Sequence, residues 1–426
     1  MLVFWLFFII ESVVLMALKG EALALDDTIY WGCILLNSFV LMGGIFGDNK
    51  RNPYLACCMG AGYLLRLAFL VWVQYFSHVL LLPNAGFDEY TFYYQAMGKL
   101  IRGTSVPSYS TLVAFQANFY GLSLLYSRYV NILYSMVAIL FFSRTIELLK
   151  IQKKTYRLVI LLACLLPNYA LLSSLLLRES LNIMFLSMAG YFLVLWWNDG
   201  RIFHWGISIC FALSSAWLHS GAIAFAVGEV VAFFCSNIED KRRNFNLFNV
   251  KNIFICMIFL VIALLFMRLH ESEITRQFNS IDSIADVTTS SHLRADGGSG
   301  YSSDIVANDS LGGFVLNTPF HMINFLFSPL PWQWRGFSDI LAFIISPVFY
   351  FYVCLLVFYK HEYLKSIELL PLFVIIALGA SVLFGWGVSN AGTALRHRDK
   401  FIFVFLTILA LIKNEDEIKE NLIHIH

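Results

Sequence analysis

Apolar runs of about 20 residues recur along most of this chain. A run of this length matches the thickness of a bilayer when it is helical, and its backbone polar groups have to be paired within the helix because lipid offers no partners. Hydrophobic residues make up 59% of the sequence and charged residues 13%, which excludes an ordinary soluble domain. We therefore predict an all-α, polytopic membrane bundle in which residues 1–426 form a single membrane domain.

Counting these runs predicts about twelve crossings of the membrane. The predicted segments are residues 2–18, 28–46, 54–82, 127–145, 158–176, 181–197, 205–220, 221–235, 252–267, 337–358, 366–386 and 399–412. Basic residues gather in turns on one side of this arrangement, within residues 50–51, 144–157, 241–251 and 360–365. By the positive-inside rule that side is the cytoplasm, and both termini lie there. The first run lacks a basic n-region and a cleavage site, so we predict a retained span.

Two polar clusters flank a helical hairpin in the middle of the chain, within residues 175–221. Arg178 stands at the start of one apolar segment, and His219 stands at the end of the next. Arg201 in the turn between the segments places that turn in the cytoplasm. Arg178 and His219 therefore both emerge on the exterior face, where we expect them to form two halves of one site.

The apolar run at residues 205–235, which begins in the second helix of this hairpin, has an unusual length. It is too long for one crossing at about 1.5 Å per residue and too short for two full ones. Basic residues both before and after it have to be cytoplasmic, which requires an even number of crossings. The sequence thus predicts a break near residues 217–221, and irregular backbone at this depth is tolerated only around a cavity lined by protein.

Two long exterior regions are predicted, at residues 83–126 and 268–336. The first contains a stretch whose apolar and aromatic residues recur at helical spacing, at Tyr90, Tyr94, Met97 and Ile101. Tyrosines at headgroup level are typical of an amphipathic helix that lies in the membrane interface. The second region is the longest polar stretch, and its Gly and Ser cluster predicts a loop.

Four arginines occupy exterior positions, although exterior loops are normally poor in basic residues. They are Arg178, Arg335, Arg396 and Arg398. A pyrophosphate or another anionic group would partner them, because the guanidinium fork matches phosphate oxygens. The alternative for each is snorkelling at the interface, or an ion pair with Asp399, Asp339 or Glu179.

Asp88 and Glu89 open the predicted interfacial helix. A partly desolvated carboxyl there could act as a general base that takes a proton from a sugar hydroxyl, or Asp88 could simply cap the helix. We expect Glu89 to be the more solvated of the two. His219 is the other candidate base, and hydrogen bonding across helices is its alternative role.

Several other chemistries are not indicated by the sequence. The eight cysteines fall in or beside apolar runs, so they suggest neither a disulfide framework nor a CxxC metal site. No zinc constellation, P-loop or nucleophile elbow occurs, and we predict no metal and no cofactor. No basic tract with interleaved aromatic residues occurs either, so we predict no nucleic-acid partner.

Two groups of residues resemble motifs of the EpsG-like and Wzy-type bacterial polysaccharide polymerases. A Gly, Asp and Tyr pattern in that family's exterior loop is matched by Gly86, Asp88 and Tyr90, with Tyr93 or Tyr94 behind them. The family's Arg-then-His hairpin is similar to Arg178, a span, a short basic turn, and then Trp217, Leu218, His219 and Ser220. The chain departs from the pattern at Glu179, where glutamine is commoner, and in its large loop after Arg268.

Two further elements resemble related lipid-dependent glycosyltransferases of the GT-C type. These enzymes carry an N-G-T-x-x-R-x-R element before the last span. The chain has similar residues at Asn390, Gly392, Thr393, Arg396 and Arg398. Residues 327–332, FSPLPW, are similar to a loop found in such membrane proteins. All four elements lie between residues 84 and 400, and each is short and degenerate.

The resemblance implies glycosyl transfer at the outer face of the bacterial cytoplasmic membrane. An undecaprenyl-pyrophosphate-linked glycan would be the donor and a lipid-linked repeat unit the acceptor, with membrane lipids, a flippase and a chain-length regulator as partners. The arginines would hold the departing pyrophosphate, and His219 or Asp88 would deprotonate the acceptor hydroxyl. The catalytic candidates are Asp88, Arg178 and His219. The substrate-binding candidates are Glu89, Tyr90, Tyr94, Trp332, Arg335, Asn390, Arg396 and Arg398.

Two other functions stay open at this point. A GT-C glycosyltransferase would add a single sugar from a polyprenyl-phosphate donor instead of building a ladder of polymer lengths. A flippase or transporter would move lipid-linked oligosaccharides across the membrane. Transporters more often show repeated halves and charged residues inside spans, and this chain has no visible repeat.

Overall fold

The computed structural model describes residues 2–48, 52–80, 82, 85–239, 242–245, 254, 316–388 and 390–423. In these ranges the chain is helical apart from irregular connections and a short antiparallel strand pair, Ser236–Glu239 (β1) with Arg242–Phe245 (β2). Predicted segment 252–267, except residue 254, and residues 268–315 of the predicted large loop lie outside the described residues. The prediction of a helical fold is confirmed for the described part of the chain.

The chain divides into two compact units, and the prediction that residues 1–426 form a single membrane domain stays a prediction. The first unit consists of Met1–Tyr191 and Ser214–Ser220, and the second of Phe192–Leu213 and Gly221–His426. The helices that begin in the first unit are α1 (Leu2–Lys19), α2 (Asp27–Asp48), α3 (Pro53–Val71) with a π-helical turn (Trp72–Phe76), α4 (Phe87–Arg102), α5 (Ser108–Tyr120), α6 (Leu124–Leu148), α7 (Lys153–Leu165), α8 (Pro167–Leu172) and α9 (Glu179–Asp199). Those that begin in the second are α10 (Ile202–Leu218), α11 (Ile223–Cys235), α12 (Thr318–Phe327), α13 (Phe337–Ile345), α14 (Pro347–Tyr359), α15 (Tyr363–Ser366), α16 (Leu370–Gly387), α17 (Ala391–Asp399) and α18 (Ile402–Ile423).

Six of the described helices are long and apolar enough to cross a membrane. They are α1, α2, α3 with its π-helical turn, α6, α9 and α16. Helices α13 and α14 together make a seventh candidate, with a bend of 44° at the break between them. These helices coincide with seven of the predicted segments, and their length and composition fit a multi-pass membrane protein.

The other described segments correspond to shorter or less apolar helices. Segment 158–176 is divided between α7 and α8, which starts at Pro167, and segment 399–412 lies within the longer α18. Segments 205–220 and 221–235 correspond to α10 and α11, which have 17 and 13 residues. The count of twelve crossings is therefore not confirmed and stays a prediction.

Local sequence determines where two of the spanning helices begin. The Asn52 side chain accepts a hydrogen bond from Leu55 N at 3.1 Å, and Pro53 occupies the first position of α3. Ser123 caps α6 in the same way and accepts from Tyr126 N at 3.2 Å. Each cap satisfies a backbone amide that has no partner within its own helix.

Helix α4 is amphipathic, as the predicted interfacial helix requires. Its buried face packs against α5 in an apolar cluster that includes Ala96. Tyr90, Tyr94 and Ile101 are exposed, and the two tyrosine rings stack with their centroids 6.5 Å apart. Met97 does not share that exposed face as the spacing predicts, because it packs against the buried cluster.

The chain breaks between α10 and α11, where the length of the apolar run predicts a break. Helix α10 ends at Leu218, and His219 and a 3-10 turn, Ser220–Ala222, follow before α11 begins. The break depends on Gly221, because a Cβ at that position would come within 2.6 Å of the Phe384 ring on α16. Close packing against a neighbouring helix thus selects glycine at the turn.

Helix α16 lies at the centre of the second unit and packs against α11, α12 and α18. Its approach to α12 requires Gly385, where a Cβ would lie 3.1 Å from the backbone of His321. Trp386 Nε1 on α16 also donates to Thr318 Oγ1 on α12 at 2.9 Å. The first half of α18, residues 402–412, is buried on all sides, which explains why it is apolar throughout.

Candidate functional site

A buried ion pair joins α4 to α6 in the first unit. The side chains of Glu89, on the first turn of α4, and Arg128, near the start of α6, are 1% and 2% exposed. The guanidinium donates from Nη2 to Oε1 at 2.6 Å and from Nε to Oε2 at 2.9 Å, and its Nη1 donates to Gln74 Oε1 at 2.6 Å. A bidentate pair with further hydrogen bonds can offset the cost of burying two charges. The expectation that Glu89 is the more solvated carboxylate is therefore wrong.

Glu89 also closes the start of α4. The N-cap residue is Gly86, whose φ of 121° is a conformation that glycine adopts readily and other residues rarely do. Glu89 Oε1 accepts a hydrogen bond from Gly86 N at 3.3 Å, which satisfies a backbone donor at the helix start. The alternative in which Asp88 caps this helix is not what the structure shows, since Asp88 lies partly exposed within the first turn. Both oxygens of Glu89 accept protein donors, which gives Glu89 a structural role, and its predicted contact with substrate stays a prediction.

The backbone between α8 and α9 includes a buried irregular stretch, residues 173–177. The polar groups of such a stretch need partners, because neither lipid nor an apolar core supplies them. Glu89 Oε2 accepts from Leu176 N at 3.3 Å. Asn131 Nδ2, on α6, donates to Leu175 O at 2.6 Å and to Leu177 O at 2.8 Å. Side chains of α4 and α6 thus determine the path of the chain into α9.

Asn131 is held in its own position by α5. The Tyr109 hydroxyl donates to Asn131 Oδ1 at 3.1 Å. Burial raises the pKa of Tyr109 well above its usual value, so this hydroxyl stays protonated and keeps its role as a donor. The amide is oriented by this bond, with its oxygen facing the hydroxyl and its nitrogen facing the two carbonyls.

Arg178, which directly follows the irregular stretch, lies beside the end of α10. Its Nη1 donates to the Leu218 carbonyl at 3.4 Å, and the next residue is His219. One turn further into both helices, Asn182 Nδ2 donates to Ser215 O at 3.1 Å, and Ser215 Oγ donates to Asn182 Oδ1 at 2.6 Å. The structure therefore places Arg178 against the residue that precedes His219, and the side chains of Arg178 and His219 are both partly exposed.

The first unit thus contains all three catalytic candidates. Glu89 connects the turn that carries Asp88 to the stretch that leads into Arg178, and Arg178 contacts the residue before His219. A guanidinium can bind an anion, and an imidazole can accept a proton. The exposed rings of Tyr90 and Tyr94 on the same helix as Asp88 offer a stacking surface. In the described ranges, no group of three or more His, Cys, Asp or Glu side chains is placed to hold a metal ion.

Arg398, in the second unit, is buried where the sequence predicts an exterior contact with substrate. It is 1% exposed, and its guanidinium donates to the backbone carbonyls of Leu326 and Ser328. The guanidinium carbon also lies 5.9 Å from the centroid of the Tyr350 ring. Arg398 therefore anchors the chain at the end of α12, and its predicted contact with substrate stays a prediction.

Gln333 organises the FSPLPW loop. Its Oε1 accepts from Leu330 N at 2.7 Å and from Ser328 Oγ at 3.1 Å, and its Nε2 donates to Asn324 Oδ1 at 2.8 Å. Trp332 projects from this loop and is strongly exposed. The loop is thus a defined structure that presents one large aromatic surface.

The other candidates of the second unit have varied environments. Asn390 is the N-cap of α17, and its side chain accepts from Thr393 N at 2.7 Å. Its predicted contact with substrate stays a prediction. Arg335 is exposed, and its contact with Asp339 is through the backbone, from Arg335 N to Asp339 Oδ2 at 2.8 Å. Arg396 is partly exposed. Arg335 and Arg396 stay candidates for binding an anionic group.

Reasoning from the sequence missed Arg128 and Asn131, which organise the first unit's site. A signal was present, because a charged and an amide side chain inside an apolar run are costly unless they are paired. Their spacing of three residues also places them on one face of a helix. Their partners could not be read in the same way, since they lie 22 to 54 residues away along the chain.

Comparison with known proteins gives no match: no protein family, curated protein or solved structure matches this chain.

Proposed function

We propose that this protein is a polymerase that joins undecaprenyl-pyrophosphate-linked repeat units into a polysaccharide at the outer face of the bacterial cytoplasmic membrane. The observation that carries the proposal is the contact of Arg178 with the end of α10, directly before His219. Support also comes from the multi-pass apolar helices, which suit a substrate held in lipid. The resemblance of the Asp88, Arg178 and His219 motifs to polysaccharide polymerases supports the transfer of sugars.

In this proposal Arg178 binds the pyrophosphate of the donor. The bond between the anomeric carbon and the pyrophosphate oxygen breaks, and negative charge grows on the leaving group. A guanidinium fork placed against those oxygens stabilises the charge more as it develops, which lowers the barrier. The position of Arg178 at the start of an apolar helix suits a pyrophosphate whose lipid tail lies in the membrane.

The acceptor hydroxyl forms the new bond to the anomeric carbon and gives its proton to a base. We favour His219 as this base, because it directly follows Leu218, whose carbonyl accepts a hydrogen bond from Arg178. Asp88 is the alternative, at a partly exposed position beside Glu89. Variants His219→Asn and Asp88→Asn separate the two, since only loss of the true base removes the acid limb from the pH profile of polymer synthesis.

The test is complementation of a strain that lacks the gene. Lipid-linked glycans and surface polymer are separated by size, and we expect the deletion to abolish the length ladder while single repeat units still reach the outer face. Arg178→Ala is expected to reduce the rate of synthesis by about 100-fold or more. Arg201→Ala is the matched control, because Arg201 is an exposed arginine beyond the opposite end of α9, and it is expected to restore the full ladder.

Other outcomes of the same experiment assign other functions. Repeat units trapped on the cytoplasmic side of the deletion strain would indicate a flippase. A product that lacks one sugar, with its length distribution unchanged, would indicate a transferase that adds a single residue. A His219→Ala protein that makes full-length polymer at the normal rate would remove the histidine from the mechanism.

A further inference from the structure

A polar pair joins α1 and α2 near the middle of both helices. Asn37 Nδ2 donates to Glu11 Oε2, and the Tyr126 hydroxyl on α6 donates to the same oxygen at 3.3 Å. Asn37 and Tyr126 are fully buried, and Glu11 is 8% exposed. Both α1 and α2 are long and apolar enough to span a membrane. Burying a polar side chain in such a helix is energetically costly, so these side chains are usually paired and often functional.

Two oxygens of this pair have no hydrogen-bond donor in the described part of the chain. They are Glu11 Oε1 and Asn37 Oδ1, and both are buried. They belong to the Glu11 carboxyl and the Asn37 amide, which are already joined by the hydrogen bond from Asn37 Nδ2 to Glu11 Oε2. One added hydrogen would satisfy both, because a protonated carboxyl has an O–H donor and an amide oxygen is an acceptor. Acid and amide would then be linked by two parallel hydrogen bonds.

The surroundings of Glu11 favour a neutral carboxyl. Its hydrogen-bond partners, an amide, a phenolic hydroxyl and the Cys33 thiol, carry no positive charge. The titratable groups that face it are the Cys33 thiol on α2 and Tyr126 and Tyr129 on α6. Tyr30 and Tyr120 pack against the Tyr126 ring. These groups supply no positive charge, and an ionised carboxylate buried without one is very unfavourable.

We propose that Glu11 is a proton-binding site, in which the carboxyl holds a proton on Oε1 and donates it to Asn37 Oδ1 across the interface between α1 and α2. The bound proton removes the charge and pairs both unsatisfied oxygens. A neutral pair of this geometry also sets the register of α1 against α2, which apolar side chains alone specify weakly. This inference is independent of the proposed polymerase activity.

Infrared spectroscopy of the purified full-length protein in lipid tests the proton directly. The difference between wild type and Glu11→Gln is expected to contain the carbonyl band of a protonated carboxyl at neutral pH. Glu229→Gln is the matched control, because Glu229 is also a buried carboxyl in an apolar helix, hydrogen-bonded by Ser208, and this variant should keep the Glu11 band. A difference spectrum that shows only carboxylate bands overturns the proposal.

Thermal unfolding supplies a second readout. Glu11→Gln preserves two parallel hydrogen bonds to Asn37, so it is expected to unfold within about 2 °C of wild type. Glu11→Ala leaves the Asn37 amide unpaired and is expected to unfold several degrees lower. Equal losses in the Gln and Ala variants contradict the neutral pair. A rise in unfolding temperature with sodium ions that Glu11→Gln abolishes would also overturn it, because a cation would then occupy the site in place of the proton.

Discussion

Replacing Arg128 by alanine is the sharpest test of the buried framework in the first unit. The variant leaves the Glu89 carboxylate 1% exposed with two of its four protein donors removed, and it leaves Gln74 Oε1 without its charged partner. Removing one member of a buried ion pair costs about 3–5 kcal/mol, because the remaining charge is uncompensated. Folded proteins are stable by only about 5–15 kcal/mol, so we expect a large fall in stability.

The assay is thermal unfolding of the purified protein, followed by the reactivity of its buried cysteines. Arg144→Ala is the control on the same helix: Arg144 pairs with Glu147 at 2.8 Å, but these side chains are 53% and 36% exposed. A pair this exposed contributes little, so this variant should unfold close to wild type. The double variant Arg128→Met with Glu89→Leu removes both charges and is expected to recover much of the stability that Arg128→Ala loses.

The reasoning would be refuted if Arg128→Ala unfolded at the same temperature as Arg144→Ala. It would also fail if the double variant were less stable than Arg128→Ala, because the cost would then come from lost packing and not from an unpaired charge. Hydrogen exchange gives a local check, since we expect faster exchange of the Leu176 amide when Glu89 is no longer fixed by the guanidinium.

Three further predictions follow from single contacts. Asn131→Leu removes the hydrogen-bond donor of the buried Leu175 and Leu177 carbonyls, which costs about 1–3 kcal/mol for each carbonyl. We therefore expect faster hydrogen exchange in residues 173–177 and a lower polymer yield. Unchanged exchange in these residues would count against this role of Asn131. Gly221→Ala places a methyl group against the Phe384 ring and should lower the free energy of unfolding by about 1–3 kcal/mol, as measured by thermal unfolding. Gly206→Ala is the control and should cost little, because a Cβ at Gly206 meets no atom within 4 Å. Equal effects of the two variants would contradict the packing at Gly221. Burial alone would raise the pKa of Asp416, but hydrogen bonds from Lys360 and Tyr363 outweigh it and hold that pKa below its usual value. A depressed folded pKa contributes stability that is present above about pH 4 and is lost as the pH falls further, so Asp416→Asn should flatten the acid side of the stability profile, and an unchanged slope would exclude this contribution.

The helical class and the main break in the chain could be predicted from the sequence because both depend on local pattern. Apolar runs of spanning length become helices whatever their neighbours, and the length of residues 205–235 requires a turn near His219. The approach of Arg178 to the end of α10 could be predicted for the same reason. A hairpin returns its two ends to one place, and the basic turn at Arg201 identifies the hairpin.

Only the tertiary structure decided the roles of the charged residues. Glu89 and Asp88 are neighbours with similar chemistry, yet Glu89 is enclosed by Arg128 and the backbone before α9, whereas Asp88 is partly exposed. Arg396 and Arg398 are two residues apart, and Arg398 is buried with its guanidinium on the carbonyls of Leu326 and Ser328. The pattern of a single helix specifies which residues share a face, but the partner that a charged side chain meets there comes from distant segments. Burial and pairing therefore depend on long-range packing, which sequence spacing does not encode.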